Sequence, residues 1–204
     1  MAFIDSVPVQ DSAGDVRAMY VASQAPLGYV PNYARLFSHR PKVMGAWGNL
    51  LKSVRESMDT RRYELATVAA ARALRSSYCM LAHGSILRRD FYSDEATAKI
   101  AHDYRSADLS PLDVEVMRFA EHVARDASSI TAADVQRLRD HGLSDAEVFD
   151  VAATAAARCF FSKLLDSLGA EPDSSFLALG DELRSELTVG RAITDAPVEV
   201  IAST

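Results

Sequence analysis

The sequence predicts an all-α protein of roughly eight helices. Apolar residues recur at the 3.6-residue spacing of amphipathic helices through most of the chain. Several of these stretches follow a capping side chain and a first-turn proline or carboxylate, the usual signature of a helix start. Strand-like alternation is limited to a weak stretch at 198–201. Together these observations indicate a helical bundle without a sheet.

The N-terminal part of the chain contains three predicted helices separated by proline and glycine. Asp11 or Ser12 is expected to cap the first, and Pro41 suits the first turn of the third. Trp47, in the third helix, is expected in the hydrophobic core. The three helices are predicted to end near residues 22, 37 and 57.

An alanine-rich helix follows, and another begins shortly after it. Asp59 or Thr60 starts the alanine-rich run, which carries Glu64. So much alanine lets neighbouring helices approach closely, which suits a tight bundle or a subunit interface. Ser76 or Ser77 then caps the next helix.

The later helices share one type of start, in which a hydroxyl side chain precedes an apolar stripe. The longest is predicted at 145–168, and a final helix at 176–187. The predicted caps are Ser93, Ser110, Thr131 and Ser144. We divide the chain into an N-terminal helical extension at 1–40, a helical domain at 41–188 and a C-terminal tail at 189–204, which is expected to be disordered or to lie on a partner subunit.

Composition argues against several classes of function. The 204 residues carry a formal charge of -6 and no basic stripe, so we expect no nucleic-acid partner. No apolar run approaches the roughly 20 residues of a membrane span, and no signal peptide is recognisable, so we expect no membrane partner and a cytoplasmic location. The two cysteines form neither a disulfide framework nor a zinc-binding pair, and no glycine-rich phosphate loop is present. We therefore predict neither a metal nor a cofactor.

The candidate site lies where the alanine-rich helix gives way to the next one. If Ser76 or Ser77 caps that helix, Cys79 falls in its first turn and His83 lies one turn further along the same face. Backbone N–H groups at a helix start favour a thiolate over a thiol, which makes a cysteine reactive. Glu64 on the preceding helix adds a carboxylate.

The order of these residues resembles the alkylhydroperoxidase-like, carboxymuconolactone-decarboxylase fold family. Eleven residues separate Glu64 from Ser76, two separate Ser76 from Cys79 and three separate Cys79 from His83. The family has cysteine at both central positions, so this chain departs from the pattern at Ser76. Further segments from about Pro41 to Asp173 look like the family's peroxidase-related branch, among them Leu109-Ser110-Pro111, Gly142-Leu143-Ser144-Asp145-Ala146-Glu147 and Leu168-Gly169-Ala170-Glu171-Pro172-Asp173.

The resemblance implies an all-helical, cofactor-free homo-oligomer that reduces hydroperoxides. Carried over by position, Cys79 is the attacking thiolate, while Glu64 and His83 form a proton relay. Ser76 and Tyr78 are auxiliary candidates: Ser76 as a cap that also donates to the thiolate, Tyr78 as a partner for a substrate oxygen or as packing.

A serine at position 76 excludes a two-cysteine cycle within this motif, because a hydroxyl cannot resolve a sulfenic acid. The expected cycle is of one-cysteine type, in which an external thiol restores Cys79. Cys159 is an alternative internal resolver, but its apolar neighbours favour a buried structural thiol.

Three alternatives remain open from the sequence. One is a lactone decarboxylase-like enzyme that uses Glu64 and His83 for acid/base work, with Cys79 incidental. Another is a non-catalytic oligomer that acts as a redox sensor or binding scaffold. Glu64 also has a simpler interpretation, as an exposed partner for Arg61, Arg62 or Arg72.

Overall fold

The structure is a computed structural model that describes residues 2–202. Over that range the chain forms ten α-helices and no β-strand, which confirms the predicted all-α class. Each of the ten corresponds to a helix predicted from the sequence, although the rough total of eight was too low. The final helix starts later than predicted, because Ser174–Ala178 forms a separate 3-10 turn. The helices are α1 Gly14–Gln24, α2 Asn32–Leu36, α3 Pro41–Glu56, α4 Thr60–Ala73, α5 Ser77–Asp90, α6 Asp94–Asp103, α7 Pro111–Asp126, α8 Ala132–Asp140, α9 Asp145–Ser167 and α10 Asp181–Leu187.

The alanine-rich helix α4 is the centre of the bundle. Every side chain from Tyr63 to Ala71 is buried, and α4 packs against α5, α7 and α9. Small side chains let these helices approach α4 closely, and together they bury the apolar area that stabilises the fold. Outside this layer, α6 and α10 pack on each other and on α5, while α3 packs on α9. Trp47 of α3 is buried, as predicted.

Most of the predicted helix starts are confirmed by their cap hydrogen bonds. Asp59 accepts a hydrogen bond from the backbone N–H of Arg62, and Ser93 accepts one from Ala96. Thr131 and Ser144 form complete capping boxes with the third residue of their helices. These starts are predictable because each signal lies within four residues of chain.

One predicted cap is wrong, and another is right in position only. The first helix begins at Gly14, with Ala13 as its N-cap, because Val9–Asp11 forms a separate 3-10 turn and the Ser12 hydroxyl donates to the Val9 carbonyl. Ser76 occupies the N-cap position of α5, but its side chain makes no capping hydrogen bond and is fully buried.

The described part of the C-terminal tail, residues 189–202, contacts the rest of its own chain. The backbone N–H of Gly190 donates to the hydroxyl of Ser77 at 2.7 Å. A side-chain carbon at position 190 would collide with the carbonyl oxygen of Arg75, so this crossing requires glycine. Further on, the tail forms an isolated bridge with Val30 through Glu199, in place of the weak strand predicted at 198–201.

No helix among the described residues is both long enough and apolar enough to cross a membrane.

Candidate active site

Cys79 lies where α4, α5 and α9 meet, in the first turn of α5. Its side chain is buried, with 1% of the residue exposed. The sulfur receives two hydrogen bonds from α9: the Ser162 hydroxyl donates at 3.1 Å and the Arg158 guanidinium donates from Nη1 at 3.6 Å. Donors of this kind, one of them cationic, stabilise negative charge on sulfur.

Glu64 and His83 form a hydrogen-bonded pair beside this cysteine. Oε2 of Glu64 lies 2.5 Å from Nδ1 of His83, and the carboxylate is buried whereas the imidazole side chain is 15% exposed. Since a carboxylate accepts, the pair places a proton on Nδ1 and leaves Nε2 as the other titratable position. Burial lowers the pKa of His83, the charge of Arg158 lowers it further, and Glu64 offsets part of this. His83 is therefore neutral near pH 7.

Glu64 does not form an ion pair with Arg61, Arg62 or Arg72, the three arginines considered from the sequence. Arg61 donates to Asp113 at 2.9 Å, and Arg62 lies 4.0 Å from Glu147. Arg72 contributes to the charge environment of Asp103 instead. Glu64 is thus a buried carboxylate whose observed hydrogen-bond partner is His83.

Arg158 was missed by the sequence reasoning. It is 2% exposed, and its guanidinium lies 5.9 Å from the ring centre of Trp47 and 5.7 Å from that of Phe161. Burial lowers its pKa, but the neighbouring Cys79, Tyr63 and Glu64 raise it more, so the guanidinium stays charged. The available signal was a single arginine within the apolar run Ala-Ala-Thr-Ala-Ala-Ala-Arg-Cys-Phe-Phe.

Ser162 was also missed, and it lies one helical turn after Arg158. Both side chains therefore occupy the same face of α9 and meet Cys79 together. A serine in a helix gives no distinctive sequence signal, so only its hydrogen bond to the Cys79 sulfur in the folded chain identifies it.

The structure places the auxiliary candidates away from the hydrogen bonds to the sulfur. The Ser76 hydroxyl is buried and makes no hydrogen bond within the described residues. The Tyr78 hydroxyl donates to Asp173 at 2.5 Å and accepts from the backbone N–H of Tyr33 at 3.2 Å. The role of Ser76 as a donor to the sulfur is taken by the two residues from α9.

Cys159 is partly exposed, whereas the sequence favoured a buried thiol. It follows Arg158 on α9, so successive side chains diverge and only Arg158 turns towards Cys79. Burial still raises the pKa of the Cys159 thiol. Both cysteines are free, with no disulfide between them.

A separate cavity of about 480 Å³ lies between α1 and α3. Met19, Tyr33 and Met44 are among its lining residues, and none of the five predicted site residues lines it. In the part of the chain that is described, no group of histidine, cysteine, aspartate or glutamate side chains could hold a metal ion.

Several solved structures share this fold. An uncharacterised peroxidase-related protein from Ralstonia eutropha JMP134, described as an alkylhydroperoxidase AhpD core, aligns with a TM-score of 0.79 and 25% identity over 87% of this chain and 95% of its own. A peroxidase-related protein from Silicibacter sp. TM1040 aligns at 0.77 and 20% identity over 87% and 94%. The debrominase Bmp8, solved with 2,3,4-tribromopyrrole, aligns at 0.66 and 16% identity over 90% and 95%. No protein-family model and no curated protein matches the chain.

Proposed function

We propose that this chain, which has the alkylhydroperoxidase-like fold predicted from its sequence, is a thiol-dependent hydroperoxide reductase of one-cysteine type. The observation that carries the proposal is the surroundings of Cys79, where Arg158 and Ser162 donate to a buried sulfur beside a Glu64–His83 pair. A nucleophile with donors on the sulfur and an adjacent acid/base pair is the arrangement that nucleophilic catalysis needs.

In the first half of the cycle, the Cys79 thiol gives up its proton to the Glu64–His83 relay. The thiolate attacks the terminal oxygen of the hydroperoxide, so a sulfur–oxygen bond forms as the oxygen–oxygen bond breaks. The sulfur becomes a sulfenic acid, and the departing alkoxide takes the proton from the relay to become an alcohol. His83 suits this exchange because it is neutral near pH 7 and partly exposed to solvent.

In the second half, an external thiol attacks the sulfenic acid and releases water, which leaves a mixed disulfide on Cys79. A second external thiol then displaces the first as a disulfide and restores the Cys79 thiol. Ser76 has no sulfur with which to replace this external step. A supply of reduced thiols is found in the cytoplasm, where we place the protein.

We expect the protein to work as a homo-oligomer. Apolar side chains stand exposed on the outer faces of two helices that pack together, α3 and α9. Exposed apolar side chains on two adjoining helices favour a contact with another subunit. The exposed residues are Val43, Leu50, Phe149 and Phe160.

The thiol mechanism is favoured over the decarboxylase-like alternative because α9 directs two donors at the sulfur. An enzyme that relied on Glu64 and His83 alone would have no use for a guanidinium held against Cys79. That alternative predicts that His83→Ala abolishes activity while Cys79→Ser is tolerated.

The test is consumption of cumene hydroperoxide with excess dithiothreitol. We expect Cys79→Ser to lose all turnover above that of the free thiol, and Cys159→Ser, the matched control, to retain the wild-type rate. Dimedone added during turnover should label Cys79 as a sulfenic acid, detected by peptide mass spectrometry. Equal turnover by wild type and Cys79→Ser would contradict the proposal.

A further inference from the structure

The cavity between α1 and α3 is a second concave site, separate from the surroundings of Cys79. Its volume of about 480 Å³ falls within the roughly 300–1,000 Å³ of small-molecule sites in proteins. Ala22 of α1 and Gly45 of α3 line it and are exposed, so solvent reaches it. No atom lies within 4 Å of the position that a Cβ at Gly45 would take. The packing of the described chain therefore leaves room there for a ligand.

One part of the lining is an aromatic ring that is held in place by its packing. The Tyr33 ring makes edge contacts with Tyr78, at 5.8 Å between ring centres, and with Phe161, at 5.5 Å. The backbone N–H of Tyr33 also donates to the Tyr78 hydroxyl at 3.2 Å. Met19 and Met44 belong to the same lining. Because aromatic rings and thioethers both contact aromatic rings favourably, this lining favours an aromatic ligand over an aliphatic one of equal size.

The charges around the cavity favour a neutral ligand. The lining holds one carboxylate, Asp15, and one ammonium, Lys42, and neither has an ion-pair partner within residues 2–202. A ligand with a net charge would be attracted by one of these groups and repelled by the other. Ser23 and Tyr33 also line the cavity, and burial raises the pKa of Tyr33 to about 12, so its phenol is neutral near pH 7. Two neutral hydroxyls can pair with one hydrogen-bonding group of a ligand.

The subunit contact expected on α3 leaves this cavity open. Successive residues of a helix are rotated by about 100°, so Val43 and Leu50 lie roughly 200° and 140° around α3 from Gly45. The exposed apolar side chains assigned to that contact therefore stand on a different side of the helix from the cavity. A free molecule, rather than a second copy of the chain, is the occupant that fits this position.

We propose that the cavity between α1 and α3 binds a free, neutral aromatic molecule that carries one hydrogen-bonding group. The ring of the ligand packs against Tyr33 and the two methionine side chains, and its polar group pairs with a hydroxyl of Ser23 or Tyr33. Cys79 takes no part in this binding, so the inference goes beyond the proposed function and does not depend on it.

The test measures binding of N-phenyl-1-naphthylamine, a neutral aromatic amine whose fluorescence increases in apolar sites. The deciding variant is Gly45→Phe, which places a side chain in the open space of the cavity. We expect its Kd for the probe to rise at least about tenfold, because phenylalanine covers area that the ligand would bury. Ala46→Phe, the matched control, adds the same ring about 100° further around α3 and should leave the Kd within about threefold.

Two pairs of compounds test the chemical class of the ligand. 1-Naphthol should displace the probe at least about threefold more strongly than decahydro-1-naphthol, which has the same carbon skeleton and hydroxyl but no aromatic ring. 1-Anilinonaphthalene-8-sulfonate has the rings of the probe and a negative charge, and it should bind at least about tenfold more weakly than the probe. Equal affinities within either pair would overturn the assignment to a neutral aromatic ligand.

Equal affinity of wild type and Gly45→Phe would overturn the inference, because the probe would then bind elsewhere. A wild-type protein that binds no probe would overturn it as well; if Gly45→Phe also forms a smaller oligomer in sedimentation, a second copy occupies the cavity instead. If Gly45→Phe does not fold, as judged by circular dichroism, Ala22→Phe fills the cavity from α1 and should show the same loss.

Cys79→Ser separates this inference from the proposed function. It should bind the probe with the wild-type Kd, whether or not the wild type reduces peroxides, because the cavity does not include Cys79. A loss of probe binding in Cys79→Ser would place the probe at the cysteine and overturn the inference.

Discussion

Two buried carboxylates contact α5, and their hydrogen bonds differ. Asp173 accepts from the backbone N–H of Asn32 at 2.7 Å, from the Tyr78 hydroxyl at 2.5 Å and from the Tyr29 hydroxyl at 3.5 Å. Glu64 binds His83 through one oxygen, and its other oxygen has no partner in the part of the chain that the structure describes. The first set is called the Asp173 cluster and the second the Glu64 cluster.

Asp173 is a buried carboxylate with a structural role, whereas Glu64 is one placed for chemistry. The Asp173 cluster fills both oxygens and thereby fastens the start of α2 to α5 and to the segment after α9. A fully satisfied polar network favours one arrangement of the surrounding chain. In the Glu64 cluster, one carboxylate oxygen has no hydrogen-bond partner within the described residues, so it can still bind a proton or a polar group. Three predictions test this division, from the largest effect to the smallest.

The largest effect is expected for Glu64→Gln. The amide keeps the size of the side chain but cannot take up a proton, so the rate of peroxide reduction by the folded protein should fall by about 10²–10⁴-fold. Asp173→Asn makes the same chemical change in the other cluster and should leave that rate within about threefold. The measurement is the single-turnover rate of Cys79 oxidation in both variants. Equal losses of rate would contradict the assignment of Asp173 to structure and Glu64 to chemistry.

The next effect is a loss of stability in Tyr78→Phe. Removing the hydroxyl deprives Asp173 of its shortest hydrogen bond, which should lower the free energy of unfolding by about 1–3 kcal/mol. Denaturant unfolding measures this change. The rate of Cys79 oxidation should stay within about threefold of wild type. A large loss of rate at unchanged stability would instead assign Tyr78 the substrate contact considered from the sequence.

The smallest effect is in the pH dependence of stability. The pKa of His83 in the Glu64 cluster is lowered and that of Asp173 is raised, so their contributions to stability change with pH in opposite directions. Burial lowers the pKa of His83 below 6.5, so the unfolded chain binds the proton first and stability is lost as pH falls from 6.5 through the native value. Burial raises the pKa of Asp173 above 3.8, so its contribution is present at low pH and is lost as pH rises through the native value.

Denaturant unfolding of wild type and His83→Gln over this range checks the histidine half of the comparison. As pH falls below 6.5, the free energy of unfolding of the wild type should decrease more than that of His83→Gln, since glutamine does not bind a proton. Parallel curves for the two proteins would show that His83 does not contribute to the pH dependence.

Much of the fold was predictable because its signals are local. The capping box of Ser144 with Glu147 and the buried alanine-rich face of α4 are properties of a few successive turns. Glu64, Cys79 and His83 were named from their spacing and from the family resemblance, and the structure brings Glu64 into contact with His83. The start of α1 was misplaced because the Ser12 hydroxyl donates to Val9 instead of capping.

The sequence by itself determined the helical class, most helix starts and the place of Cys79 in the first turn of α5, because each depends on residues within about a turn of one another. Only the tertiary structure decided which side chains reach the sulfur. Arg158 and Ser162 are 79 and 83 positions from Cys79, and they meet it because α9 and α5 both pack against α4. The same packing buries Glu64 and leaves one of its oxygens unpaired, since burial and hydrogen bonding depend on every helix around a residue rather than on its neighbours in the chain.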